Sequence, residues 1–192
     1  MVPVSFKDYA NRLQAVLQEA DWSSVAVLAE AMLECWKSKR RVFMCGNGGS
    51  AGNALHLAND LHYGIGKGKL PGMRVQALPA NVSVLTCLAN DEGYEYIFSN
   101  QLAVEGDAGD ILVVFSGSGN SPNILRVLEQ AKKMNIRSFA VLGYSGGKAK
   151  AMADTPIHFA VNDMQISEDM QLIVGHMIMQ WLYANMPIEN AA

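Results

Sequence analysis

Two helical stretches carry the residues best suited to chemistry. His56 and Asp60 lie four apart, so they share one helix face. Near the end of the chain, "ISEDMQLIVGHM" places Glu168 and His176 eight apart. On a helix that is two turns and about 80° of rotation, so both can turn toward one point. Two imidazoles and two carboxylates form an oxygen-and-nitrogen shell that suits zinc or a similar divalent ion. Spacing alone leaves a second reading open. A histidine in an apolar helix is often a hydrogen-bonded core residue. Glu168 and Asp169 can also be first-turn acids favoured by the helix dipole. His158, in "PIHFAV", reads as a core histidine, and His62 as a surface or loop-edge residue.

The first helix is preceded by a flexible polar loop. "CGNGGSAGNALHLANDL" (45–61) opens with glycines, a serine and asparagines before the helical pattern begins. A second loop, "SGSGNS" (116–121), follows "DILVVF" and opens the helix "SPNILRVLEQAKK". Both loops sit at the carboxyl end of a predicted strand, where ligands bind in open α/β sheets. Glycines let the backbone approach an anion. Serine hydroxyls and the free N–H groups of the helix start donate to it. Pro122 fits the first helical turn, where its missing N–H costs nothing. Neither loop is a Walker A sequence, and neither is GxGxxG. Two such loops in equivalent positions predict the binding of one phosphate group.

These loops need a scaffold. "RVFMCG", "MRVQALP", "DILVVFS", "SFAVLG" and "PIHFAV" are short apolar runs ended by turn residues. Most lack polar alternation, which marks strands covered on both faces. Helical stretches separate them, at about 50–63, 82–102 with a break near Asn90, 121–134 and 145–152; "YGIGKGKLPG" (63–72) reads as a flexible loop. Alternation of strands and helices predicts right-handed βαβ units and a parallel sheet with helices on both sides. Two helices lead the chain. The first carries Phe6, Tyr9, Leu13, Val16 and Leu17 on one stripe, with Ser5 as its N-cap; the second runs from about Asp21 to Lys39. A long helix over about 165–185 closes it. Ile166, Met170, Ile173, Val174, Met177, Ile178, Trp181 and Leu182 make that helix apolar most of the way round, which predicts a subunit contact.

The bulk properties exclude other classes. A chain of 192 residues fits one domain with a full core, and half of its residues are hydrophobic. A net charge of −3 leaves no footprint for nucleic acid. The basic run "KSKRR" (37–41) reads as a solvated helix end. Cys35, Cys45 and Cys87 are an odd set without CxxC spacing, as expected of reduced, mostly buried thiols in a cytoplasmic protein. No apolar run is long enough to span a membrane.

"CGNGGSAGNALH", "ANDEGY" (89–94) and "SGSGNSPNIL" resemble the SIS (sugar isomerase) domain, and within it the phosphoheptose isomerases. The resemblance covers nearly the whole chain. It implies a three-layer, flavodoxin-like sandwich with a five-stranded parallel sheet. It also implies one SIS domain over 1–192, with the helical pair 1–39 used in oligomerisation and an α/β core over 40–192. In that family a His and a Glu after the first loop, with a Gln and a His on the last helix, hold zinc. The Glu and the last His also act as base and acid. The matching positions are His56, Asp60, Glu168 and His176, so Asp60 is one methylene shorter than the family residue and Glu168 adds a charge. The resemblance therefore implies one Zn2+, or another divalent ion, per subunit, with Asp60 as base and His176 as acid.

It further implies that Ser50, Ser116, Ser118 and Ser121 bind the phosphate, with Gly48, Gly49 and Gly117 lining it. Asn47, Asn90 and Asp91 would hold the sugar, with Glu168 beside them. The implied reaction converts sedoheptulose 7-phosphate into D-glycero-D-manno-heptose 7-phosphate in a homotetramer, with no nucleic-acid or membrane partner. The alternative is a non-catalytic SIS protein that binds a sugar phosphate or serves replication initiation.

Overall fold

The five apolar runs form one sheet in the computed structural model, which describes residues 5–187. They are β1 (Arg41–Gly46), β2 (Arg74–Ala77), β3 (Ile111–Ser116), β4 (Arg137–Leu142) and β5 (Thr155–His158). All neighbours pair in parallel, in the order β2-β1-β3-β4-β5. Val42 faces Ile111 across β1 and β3, and Ile111 faces Arg137 across β3 and β4. Every residue of β3 is buried, which is why this strand shows no polar alternation.

The pleat divides the core into two layers. Val42 and Met44 join one cluster, with residues of α2 (Ser23–Lys37), α3 (Gly49–Asn59) and α8 (Met164–Ala184). Phe43 and Cys45 point the other way, toward α5 (Ser99–Glu105), α6 (Pro122–Lys133) and α7 (Ala149–Met152). This is the expected three-layer sandwich. The sheet order places the switch point between β1 and β3, where successive connections leave toward opposite faces. A crevice opens at the carboxyl ends of those two strands, and both glycine-serine loops begin there.

The N-terminal helix α1 (Phe6–Glu19) starts at the expected cap. Ser5 and Asp8 form a reciprocal capping box. No residue of α1 is buried, yet Tyr9, Leu13, Val16 and Leu17 pack against the core. Tyr9 donates a hydrogen bond to Asp169, and Arg12 pairs with Asp163, so α1 is tied to the start of α8.

Two boundaries differ from the sequence expectation. The helix expected over 50–63 is α-helical only to Asn59, and Asp60–Gly64 then form a π turn closed by Ile65 N–H donating to the Asp60 carbonyl at 3.2 Å. A hydrophobic pattern cannot register one inserted residue per turn. The helix expected over 145–152 shrinks to α7, because Gly146 and Gly147 take positive φ. Helix α4 (Val82–Asp91) ends near Asn90 as expected, but it buries none of its residues. Cys35 and Cys45 are buried, whereas Cys87 is exposed.

Candidate active site

The π turn sits where the chemistry is expected. It begins at Asp60, and single π turns inside helices are frequent at functional sites. Asp60 Oδ2 lies 3.4 Å from His56 Nε2 and 3.7 Å from His176 Nε2. The two Nε2 atoms are 3.0 Å apart. Tetrahedral ligands around a zinc-sized ion lie about 3.3 Å from each other. The three atoms therefore form one triangular face of such a shell, and the residues fit a divalent ion. The histidine side chains are about half exposed, at 51% and 45%, while that of Asp60 is 21% exposed. The cluster opens to solvent on one side.

Packing of α3 on α8 creates this face. A Cβ at Gly175 would collide with the Leu57 side chain. The helices touch there because position 175 has no side chain; Gly175 adjoins His176, and Leu57 adjoins His56. Asn53 provides a second tie, one turn earlier. Its amide donates to the Glu168 carbonyl at 3.0 Å and to Gln171 Oε1 at 2.9 Å.

Glu168 does not join the cluster. Among the described residues, only His56, Asp60 and His176 gather their ligand atoms at one point. The Glu168 carboxylate instead lies against Gly49, where a Cβ would collide with it. This is the start of α3, whose free N–H groups and positive dipole end favour a carboxylate. Eight residues along a helix also mean about 12 Å of rise, which leaves Glu168 a choice between two neighbours.

The two loops meet at the crevice. Gly48 adopts φ +56° and ψ −122° before α3, a conformation open to glycine and hostile to other residues. Ser50 is buried in the first turn of α3. Ser116 is buried as well, and its Oγ accepts from Gly119 N–H at 3.1 Å, so it shapes its own loop. Ser118 Oγ accepts from Asn120 N–H at 3.3 Å. Ser121 occupies the N-cap position of α6 without making the capping hydrogen bond, and Pro122 takes the first helical position. Gly117, within this loop, is buried.

Asn47 is half-buried between the loops. It exchanges two hydrogen bonds with Asn123, at 2.9 and 2.8 Å, and accepts a third from Tyr94 at 3.1 Å. Asn123 is 1% exposed. Asn123, Tyr94 and Asn53 escaped the sequence reading. Asn123 had a signal: a polar residue placed on the inward side of the first turn of an amphipathic helix. Asn90 and Asp91 lie exposed at the end of α4. Asn90 donates to Asp91 at 2.7 Å and the Cys87 thiol donates at 3.4 Å. The amide of Asn90 first, and then the thiol, holds the Asp91 carboxyl below its usual range; Asp91 in turn raises Cys87. Burial first, and then the Asp110 carboxylate, outweigh Arg40 and push the Cys35 thiol up to about 12.

His158 is half-buried and hydrogen-bonded, and His62 is exposed. Neither enters the cluster. Among the described residues, no helix is long and apolar enough to cross a membrane.

Comparison with known proteins agrees with this arrangement. The SIS domain family model matches residues 5–143. A phosphoheptose isomerase from Akkermansia muciniphila is 39% identical over 153 residues, covering 79% of each chain. The structure of a phosphoheptose isomerase from Neisseria gonorrhoeae superposes with a TM-score of 0.85 at 28% identity, covering 93% of this chain and 96% of that one. One from Francisella tularensis gives 0.86 at 26% identity, covering 95% and 100%. The chain belongs to the SIS domain family and, within it, to the phosphoheptose isomerases.

Proposed function

We propose that the protein interconverts sedoheptulose 7-phosphate and D-glycero-D-manno-heptose 7-phosphate by acid/base isomerisation. The observation that carries this reading is the His56–Asp60–His176 cluster, gathered between α8 and the end of α3, a helix that begins at the crevice of the two loops. Ser118 and Ser121, with N–H groups at the starts of α3 and α6, receive the phosphate. Asn47 and Asp91 hold sugar hydroxyls, and Ser50 and Ser116 keep the loops in shape. The phosphate is remote from the reacting carbons, so its binding energy serves to hold the sugar in register.

Asp60 is the base. Its carboxylate takes a proton from C1 of the ketose, while the C2 oxygen gains a proton. The resulting enediol then loses the O1 proton and regains one at C2 from Asp60, which gives the aldose. A divalent ion held by His56, Asp60 and His176 would polarise the substrate oxygens. His176 is the candidate proton donor. An imidazole nitrogen bound to a cation has no proton to give, so the two duties of His176 are separable. In His176→Gln, loss of ion together with rate marks a ligand. Retained ion with lost rate marks the acid.

Glu168, turned toward the start of α3, borders the crevice rather than holding the ion. The exposed apolar residues Met177 and Trp181 of α8 supply a surface for a second copy of the chain. We take the protein to be a cytoplasmic homotetramer. A binding-only protein is the second reading, and the carboxylate retained at position 60 argues against it. The deciding experiment incubates zinc-loaded protein with sedoheptulose 7-phosphate and follows the aldose by NMR. Aldose formation that stops on chelation and returns with zinc supports the isomerase. Tight binding without turnover supports the second reading.

A further inference from the structure

The second glycine-serine loop is braced from behind. The segment "GYSGGK" (143–148) follows β4 and takes no part in the chemistry above. It runs alongside residues 117–120 and is laced to them. Gly143 N–H donates to the Gly117 carbonyl at 3.0 Å, and Ala149 N–H donates to the Gly119 carbonyl at 2.9 Å. Lys148 N–H donates to Asn120 Oδ1 at 3.0 Å, and Asn120 Nδ2 donates to the Ser118 carbonyl at 3.2 Å. The fit is close, since a Cβ at Gly119 would collide with the Gly146 carbonyl. The Tyr144 ring edge lies 3.7 Å from the place of a Cβ on Gly117.

This brace is held under strain. Tyr144 has φ +43°, a left-handed conformation that a bulky side chain seldom adopts and that the surroundings must enforce. Two hydrogen bonds do so. Tyr144 N–H donates to the Val161 carbonyl at 3.0 Å, and His158 Nε2 lies 3.0 Å from the Tyr144 carbonyl. A carbonyl only accepts, so Nε2 carries the proton. On the other side of the ring, Lys150 Nζ lies 3.1 Å from His158 Nδ1. An ammonium only donates, so Nδ1 is bare. The two neighbours thus select one tautomer and one ring orientation.

We propose that His158 is a positioning residue for phosphate recognition. It holds the Tyr144 carbonyl, which keeps segment 143–148 in place, which fixes the backbone of residues 117–120 where the phosphate is received. This inference rests on the phosphate reading of the second loop. It assigns a role to a histidine that lies outside the His56–Asp60–His176 cluster.

The test compares His158→Leu, His158→Gln and Asn120→Ala with the unchanged protein, and with Ser118→Ala and Ser121→Ala. Affinity for inorganic phosphate and for sedoheptulose 7-phosphate is read by calorimetry, and KM and kcat by steady-state assay. His158→Leu removes one hydrogen bond from the chain of contacts. It should weaken phosphate binding about 3- to 10-fold, the scale of one such bond, and raise KM by a similar factor while kcat holds. His158→Gln keeps a donor near the Nε2 position and should recover most of the affinity. Asn120→Ala breaks the brace from the other side without touching His158. It should act in the same direction, and its effect should be less than multiplicative with that of His158→Leu. Normal phosphate affinity in His158→Leu, beside weakened affinity in the serine variants, overturns the inference and leaves the phosphate loop standing. A fall in kcat with unchanged KM overturns it too. Normal affinity in both serine variants removes the phosphate reading itself. Should His158→Leu fail to fold, Asn120→Ala and His158→Gln decide the matter: unaltered phosphate affinity in Asn120→Ala overturns the proposal.

Discussion

His56 Nε2 and His176 Nε2 stand 3.0 Å apart although 120 positions separate them in the chain. Two imidazoles approach this closely when a cation or a shared proton lies between them. Here Asp60 Oδ2 completes the triangle. The relationship exists because α3 and α8 touch at Leu57 and Gly175, each next to a histidine.

Gly175→Ala tests that contact. Alanine is the better helix former by about 1 kcal/mol. The new methyl meets Leu57, and overpacking of this kind costs about 1–3 kcal/mol. We expect the helices to part slightly and zinc occupancy to fall, even where thermal stability changes little. Elemental analysis after purification without chelator measures the first effect, and thermal unfolding the second. Full occupancy in the variant would mean that the separation of the histidines does not depend on this contact.

The serine variants probe the crevice. Ser118→Ala and Ser121→Ala each remove a donor to a charged group, worth about 1.5–3 kcal/mol. Each should weaken the binding of a phosphorylated sugar by at least about tenfold, with smaller effects on the rate at saturation. Calorimetry with sedoheptulose 7-phosphate gives the affinity. Equal affinity in both variants would place the phosphate elsewhere.

The tie between α1 and α8 should show in the alkaline limb of the stability curve. Burial first, and then the hydrogen bond to Asp169, raises the Tyr9 hydroxyl from 10.0 to about 12. The folded state therefore retains a proton that the unfolded state releases. The contribution is fully present below pH 10 and is lost as the pH rises toward 12. Unfolding midpoints of the unchanged protein should fall across that window, and Tyr9→Phe should fall less. Parallel curves would show that the Tyr9–Asp169 contact adds nothing to docking.

Much of this was legible in the residues. The strands announced themselves as apolar runs because both of their faces are covered, and the loops because glycines and serines follow β1 and β3. His56 and Asp60 were readable as a pair because four residues make one turn. The triangle with His176 needed the packing of two distant helices: spacing allowed a shared site, and the resemblance matched the positions. Glu168 shows the limit. Its spacing to His176 allows a shared ligand, but nothing local says that the start of α3 will compete for its carboxylate. Asn123, in the first turn of α6, was missed for a similar reason: its partner, Asn47, lies far away in the chain, in the loop after β1. The π turn at Asp60 was hidden because one extra residue hardly disturbs an apolar pattern.

In the proposed mechanism, Asp60 abstracts the proton beside the substrate carbonyl. Exchange of that hydrogen with deuterated solvent tests it most directly, followed by NMR on zinc-loaded protein with sedoheptulose 7-phosphate and with metal content measured alongside. Asp60→Asn keeps the shape and removes the base, so exchange should slow roughly 10²–10⁴-fold. Asp60→Glu should retain exchange if the pocket tolerates the longer acid. Exchange at the unchanged rate in Asp60→Asn, with metal content intact, would rule Asp60 out as the base.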